Sequence, residues 1–419
     1  MNRPVERYKA DNGGLYPINV NGRSGFMDRS GKTVITPQFD EAGGFSEGLA
    51  RVRIGAKFGY INTKGVVAIT PQFEDTGPFR YGRAAVKLCC GRWNPQNPAD
   101  RCGFIDKDGK YISSPDFSWV GWFSGDLAPV QTADRMYAFV NRSGKIVPPG
   151  KFEGVWIGFT AGLAPAASAG KWGFIDATSK WVIDPQFDFA MNFADGLAPV
   201  RVGGRWGYID QKGKFVINPQ YDFGQEFYEG LARFNSGDKF GFIDTKGRVA
   251  VEARFLAVNH FSDGLAPVQT NDGWGFLDRT GKMVVSPQFD GAEVFQNGLA
   301  RVTVGDKEAY VTTAGAFVGG SETARQMKEA MGKSAESKKE AVRQGVIDFL
   351  KLKGALQPED TLKIEITNLT FQRDEAHATV SFEAPSTRTE GGMLIDYVLQ
   401  RKGDRWVVTG RQDARANPR

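Results

Sequence analysis

Side chains able to do chemistry are sparse in this chain of 419 residues, which holds three cysteines, Cys89, Cys90 and Cys102, and two histidines, His260 and His377. A nucleophile–base pair or a metal site needs several such groups in convergent positions. The histidines lie far apart in sequence, and no cysteine spacing matches a zinc site with histidine partners. His260 stands just before a recurring phenylalanine and His377 opens a strand, so packing or surface roles are expected for both. Aspartate is the group that does recur, at Asp176, Asp210, Asp244 and Asp278. Each opens a short turn closed by glycine. Aspartate at the first turn position accepts backbone N–H groups and glycine supplies the positive φ, which explains the pattern without acid–base pairs. The Gly-Asp loops of calcium-binding rolls are absent, as are a phosphate loop, a dinucleotide fingerprint and a nucleophile elbow. The expectation is a protein that is not an enzyme, with no catalytic residue, metal or cofactor.

The aspartates belong to a repeat, which sets the whole organisation of the chain. One copy starts at Gly196-Leu197-Ala198-Pro199-Val200 and turns at Gly203-Gly204. It continues through Arg205-Trp206-Gly207-Tyr208-Ile209-Asp210 and Phe215-Val216-Ile217 to Pro219-Gln220-Tyr221-Asp222, and the next copy opens at Gly230-Leu231-Ala232. The aromatic-Gly step recurs at Phe58-Gly59, Trp172-Gly173, Trp206-Gly207, Phe240-Gly241 and Trp274-Gly275. It is degenerate at Ser24-Gly25, Cys102-Gly103, Tyr137-Ala138 and Glu308-Ala309, which makes nine units in all over residues 14–318. Leu-Ala-Pro-Val reads as a short strand with proline in an edge or opening position. The aromatic-Gly segment reads as a second strand and segments such as Thr33-Val34-Ile35 as a third. Each unit is therefore a three-stranded antiparallel meander. Two phenylalanines recur about six residues apart, as in Phe39 with Phe45, Phe187 with Phe193 and Phe289 with Phe295. One unit cannot bury its own apolar face, so these rings are expected to plug the layer between neighbours.

Lys171-Trp172-Gly173-Phe174-Ile175-Asp176 and its counterparts resemble the WG repeat family, also called KWG repeats, common in bacterial proteins. The resemblance covers about residues 14–318. It implies a binding and scaffolding repeat and no shared catalytic residues. The expected fold is mainly β, with tandem meanders stacked as an open twisted solenoid. A β-propeller is the alternative, although propellers typically use four to eight blades of four strands.

One unit carries an insertion between its first two strands, Cys89-Cys90-Gly91-Arg92-Trp93-Asn94-Pro95-Gln96-Asn97-Pro98-Ala99-Asp100-Arg101-Cys102. Cys90 and Cys102 flank its neck. A disulfide between them, with Cys89 the other candidate partner, would favour an oxidising compartment; a plain loop with thiols is the alternative reading. Loops that protrude from rigid scaffolds often bear function, and Arg92, Trp93 and Arg101 are of types enriched at binding hot spots.

The composition changes after the repeats. Residues 319–337 read as a helical linker rich in Lys, Glu, Ala and Ser. Ser337-Lys338-Lys339-Glu340 fits a capping box ahead of a helix to about Lys353, with Gly354 as its C-cap. Alternating runs at Leu362–Ile366, Ala378–Phe382 and Ile395–Leu399, and a hairpin at Lys402-Gly403-Asp404 into Arg405-Trp406-Val407-Val408, give a four-stranded antiparallel sheet. The domain is set at residues 338–412, between the linker and a tail at 413–419, and residues 1–13 form an N-terminal tail. Its order of elements faintly resembles the C-terminal half of NTF2-like domains.

Net charge is +5, with Lys and Arg scattered through turns, so nucleic acid is not the expected partner. No apolar run is long enough for a membrane span, and Met1–Asn12 lacks the apolar region of a signal peptide. The expected role is a scaffold for a protein partner in the bacterial envelope or outside the cell, with the cytoplasm left open. Carbohydrate or cell-wall binding through Trp119, Trp122, Trp156 and Trp181 is the alternative.

Overall fold

The computed structural model describes residues 12–88, 101–113, 116–147, 150–353, 363–372, 375–383, 393–402 and 405–413. Cys89, Cys90, Arg92, Trp93, Gly354, Leu362 and the Gly403-Asp404 turn lie outside the described residues.

The mainly β fold of tandem antiparallel meanders is present. In unit 6, Ala198–Val202, Arg205–Ile209 and Phe215–Tyr221 pair in sequence order, and the short segment Phe189–Ala190 adds a fourth strand beside the first. The aromatic-Gly step has a steric origin. Trp206 pairs with Tyr221 and Tyr208 with Ile217, so the third strand spends extra residues in a bulge above Gly207. A Cβ on Gly207 would stand 2.6 Å from the Ile217 carbonyl oxygen and 2.7 Å from the Pro219 nitrogen. Only glycine permits that crossing. Units 4 and 9 have Ala138 and Ala309 at this position and their third strands are reduced to isolated bridges, such as Tyr137 with Phe152 and Val311 with Phe317. Unit 3 keeps Gly103 and is reduced in the same way, to Cys102 with Phe117 and Ile105 with Tyr111, so the glycine alone does not decide the length of that strand.

Packing between units rests on aromatic pairs. The second of the two recurring phenylalanines inserts against an aromatic on the second strand of the preceding unit. Ring centroids are 4.7 Å apart for Phe26–Phe45, 4.8 Å for Phe174–Phe193 and 4.9 Å for Tyr208–Phe227. Phe187, the first of its pair, is buried in the same layer with Phe193, Ile183, Val200 and Ile209. Carboxylates tie neighbouring units at both ends of the strands. Asp188 accepts the N–H of Gly203 at 2.8 Å at one end, and Asp195 accepts the N–H of Gly230 at 2.7 Å at the other.

The units stack one on the next as in a solenoid, and the stack returns to its own start. Leu299, Tyr310 and Val318 of unit 9 pack with Tyr16, Ile18 and Met27 of unit 1. The layer between units 2 and 3 is built alike, from Leu49, Tyr60 and Ile69 with Ala84, Val86 and Ile105. The turn glycine Gly31 lies on Val318 and Gly319 as Gly144 of unit 4 lies on Ile112 and Ser113 of unit 3. The nine units thus close as a ring, the propeller-like option for the two ends of the array. Among the described residues, no strand is shared across the seam. Tyr16 closes it instead: it stands where the other eight units have alanine, its ring lies 5.6 Å from that of Tyr310, and its hydroxyl donates to the Asn297 carbonyl at 2.8 Å. The Tyr310 hydroxyl donates in return to the Pro17 carbonyl at 2.9 Å.

Helix α1 (Gly320–Leu352) follows the last unit directly. The expected linker and the expected domain helix are one element, and the capping-box sequence at Ser337 is interior. Good helix formers run through both segments, and Met327 anchors the first half in the core of unit 9. The second half sets Val342, Val346 and Leu350 on Ile364, Val380 and Tyr397 of a four-stranded antiparallel sheet formed by Lys363–Gln372, Glu375–Glu383, Met393–Lys402 and Arg405–Asp413. Among the described residues, no helix is long and apolar enough to cross a membrane.

Candidate binding surfaces

Among the described residues, the groups that could do chemistry are not brought together. The His260 ring stacks on Tyr228 at 3.9 Å, with Nδ1 3.0 Å from Asn259 Oδ1, while His377 Nε2 lies 2.7 Å from Glu375 Oε1 in the C-terminal sheet. The repeated aspartates are spent on their turns. Asp176 Oδ1 accepts the N–H of Thr178 at 2.8 Å, its hydroxyl at 2.7 Å and the N–H of Lys180 at 3.1 Å. The Thr178 hydroxyl is the main reason that the Asp176 carboxyl lies below the usual range. No group of His, Cys, Asp or Glu among the described residues could hold a metal ion.

Of the residues proposed for the insertion, Arg92, Trp93 and Cys90 lie outside the described residues. Arg101 is exposed at its exit, where its carbonyl accepts the Leu88 N–H at 3.0 Å. Cys102 is buried at the start of the second strand. The insertion thus rises from adjoining strand ends, as an enlarged first turn would.

The four tryptophans weighed for glycan binding do not form an open platform. Trp119 packs edge-on against Tyr137 at 5.9 Å, Trp156 against Phe189 at 5.2 Å and Trp181 against Phe152 at 5.8 Å. Trp122 alone of the four is exposed, at 40%, beneath the Arg80 guanidinium at 4.3 Å.

The structure draws attention to a row of positions that motif reading passed over. The residue before each inserted phenylalanine differs in almost every unit: Gly44, Pro78, Trp122, Gly158, Asn192, Glu226, His260, Val294. Its neighbours across the unit boundary follow the preceding inserted phenylalanine, as Arg80 meets Trp122 and Tyr228 meets His260. Pro78, Trp122, Glu226, His260 and Val294 are half-buried or exposed, whereas Asn192 is buried and donates to the Gly158 carbonyl at 2.8 Å. The signal was in the sequence, as variation inside an otherwise constant repeat.

A model described as WG containing repeat matches residues 25–58, 58–88, 103–134, 172–206, 206–240, 240–274 and 274–307. No curated protein matches the chain in sequence. Among solved structures, dihydro-heme d1 dehydrogenase NirN in complex with DHE is similar at 14% identity and TM-score 0.39, over 68% of this chain and 74% of that one. Sqt1 from Chaetomium thermophilum is similar at 12% identity and TM-score 0.31, over 71% and 88%. At these scores neither likeness carries an argument about this chain.

Proposed function

Because this chain belongs to the WG containing repeat family, we propose that it is a non-catalytic scaffold whose ring of repeats binds a protein partner. One observation carries the reading: a frame held constant from unit to unit presents a row of positions that changes at nearly every step. Rigid elements with variable insets are how repeat proteins build extended binding surfaces. The insertion of unit 3 is a second contact, and the α+β domain a second module. Envelope or extracellular location stays part of the proposal, and a disulfide between Cys90 and Cys102 would support it. Glycan binding is the weaker reading, because three of the four tryptophans spend their faces on packing.

Crosslinking in the native host tests it. The wild-type chain is expected to capture a defined protein. Combined Trp122→Ala, Glu226→Ala and His260→Ala substitution should lose that protein while the chain stays folded, with only a modest fall in urea midpoint from the lost Arg80 and Tyr228 contacts. Retention both by this variant and by a chain lacking residues 94–99 would remove the ring surface and the insertion from the proposal. No protein captured, together with tryptophan quenching by soluble glycans, would favour the carbohydrate reading.

A further inference from the structure

Unit 3 breaks the apolar rule of the repeat twice in one place. Where the other eight units have leucine at the opening of their first strand, it has Arg83, and where most units have an isoleucine or valine four residues after the second turn, it has Ser113. Both missing side chains belong to the layer between units. Leu49 and Ile69 fill it between units 2 and 3, whereas the layer between units 3 and 4 holds Phe104, Phe117, Phe123, Ala128, Val130 and Val140 with no residue from either column among its buried members. Beside this layer the turns of units 3 and 4 frame an open cleft of about 450 Å³, lined by Arg83, Lys110, Tyr111, Ile112, Arg142, Ser143 and Asp106. That is ample room for a small ligand or one side chain.

The lining is cationic. Arg83, Lys110 and Arg142 converge from three turns of two units, and both arginines are fixed by what surrounds them. The Arg83 Nε donates to the Arg142 carbonyl at 3.3 Å and its Nη1 to the Gly82 carbonyl at 2.9 Å. Arg142 lies over the Tyr81 ring at 5.8 Å and pairs with the exposed Asp126 at 2.9 Å. Asp106, the one carboxylate of the lining, is turned to its own loop, where Oδ1 accepts the N–H of Lys110 at 2.9 Å and of Asp108 at 3.1 Å. Lys110 is exposed and makes no ion pair among the described residues, and Tyr111 presents an exposed ring edge beside it.

The geometry points to an oxyanion site: the pocket between units 3 and 4 takes a carboxylate or phosphate group, with Arg83 and Lys110 donating to its oxygens and Tyr111 and Ile112 against its carbon body. Paired guanidinium and ammonium donors in a fixed cleft are the usual means of holding such groups. The site does not depend on the scaffold reading. It lies at the strand ends opposite the insertion, and its occupant is either an acidic side chain of a partner protein or a free phosphate compound.

Calorimetry on the full chain tests it with inorganic phosphate, acetyl-Ala-Glu-Ala-amide and the neutral acetyl-Ala-Gln-Ala-amide. Binding of one of the two anions at about millimolar strength is expected, falling with added salt. Arg83→Leu restores the leucine of the other units, so it should raise the melting temperature while abolishing binding. Lys110→Gln, at an exposed position, should weaken binding by about tenfold with the melting temperature unchanged. Preference for the glutamyl peptide assigns the pocket to a partner's acidic side chain, and preference for phosphate assigns it to a free compound. Binding that survives Arg83→Leu and Lys110→Gln, equal heats for the glutamyl and glutaminyl peptides, or no binding of either anion would overturn the proposal. If Arg83→Leu fails to fold, Lys110→Gln with Arg142→Gln decides by the same readings.

Discussion

Asp28, Asp176 and Asp278 each hold a turn through one carboxylate oxygen, and in each the hydroxyl two residues on, from Ser30, Thr178 or Thr280, is the main cause of a lowered pKa. Asp188 is lowered chiefly by Lys171, and Asp134 is brought to about 2 by Lys151 and then Thr132. Groups more acidic in the folded chain than in the unfolded one stabilise it above the unfolded value near 3.9, and that stability is lost as pH falls through the depressed values. The urea midpoint should therefore stay level from about pH 7 to 5 and decline from about pH 4 toward pH 2. Asn62 and Asn141 hold the equivalent turns of units 2 and 4 through Oδ1, at 3.0 Å from the N–H of Lys64 and of Ser143. Replacing Asp28, Asp176 and Asp278 by Asn should flatten the decline, and an unaltered pH profile would deny these turns a share in it. Such local chemistry was legible in the sequence because it needs only neighbours along the chain. Arg83 was not singled out, although it stands alone in a column of leucines, because its meaning depends on the unit packed above it.

At the level of the strands and helix, the aromatic plug is what joins one meander to the next. Phe187→Ala should cost roughly 3–5 kcal/mol, read as a lowered urea midpoint, because the side chain is buried against neighbours on two units and a cavity there cannot collapse. An unchanged midpoint would place the energy of the layer elsewhere. The strand pattern and the two phenylalanine positions were readable from the repeat itself. The weak third strands of units 3 and 4 were harder to foresee. Ser113 and Pro148 occupy the column that isoleucine fills in units 1, 2, 5 and 6. The apolar residue that meets the second strand comes one position earlier, as Ile112 donating to the Phe104 carbonyl at 3.0 Å and Val147 to the Phe139 carbonyl at 2.8 Å. The single helix α1 also went unread, since a capping-box sequence in mid-helix is indistinguishable from a true start until the preceding segment finds a surface to lie on.

For the whole molecule, closure is the property that strand counting did not disclose. A shared strand would have left a mark in the register of the first and last units; closure by a side chain leaves only Tyr16 in a column of alanines. Tyr16→Ala removes the ring that fills the seam and one of its two hydroxyl contacts. It should increase the maximum dimension in small-angle scattering and lower the urea midpoint. A curve superimposable on the wild type would mean that the remaining apolar contacts of Met27, Leu299 and Val318 close the seam unaided.

Met327 seats α1 on unit 9, and with one such point the bearing of the appended domain on the ring is left to a second. The ion pairs along one edge supply a mark. Arg23, Lys57, Lys171 and Arg205 each neutralise the acid at the end of their own third strand, but unit 8 has Gly273 in that place and leaves Asp290 to be met from outside. Lys338 of α1 meets it at 2.9 Å. An exposed pair of this kind adds little to stability. Its contribution is one of direction: as a second point of attachment, on unit 8, it sets the bearing of the C-terminal domain relative to the pocket and the insertion.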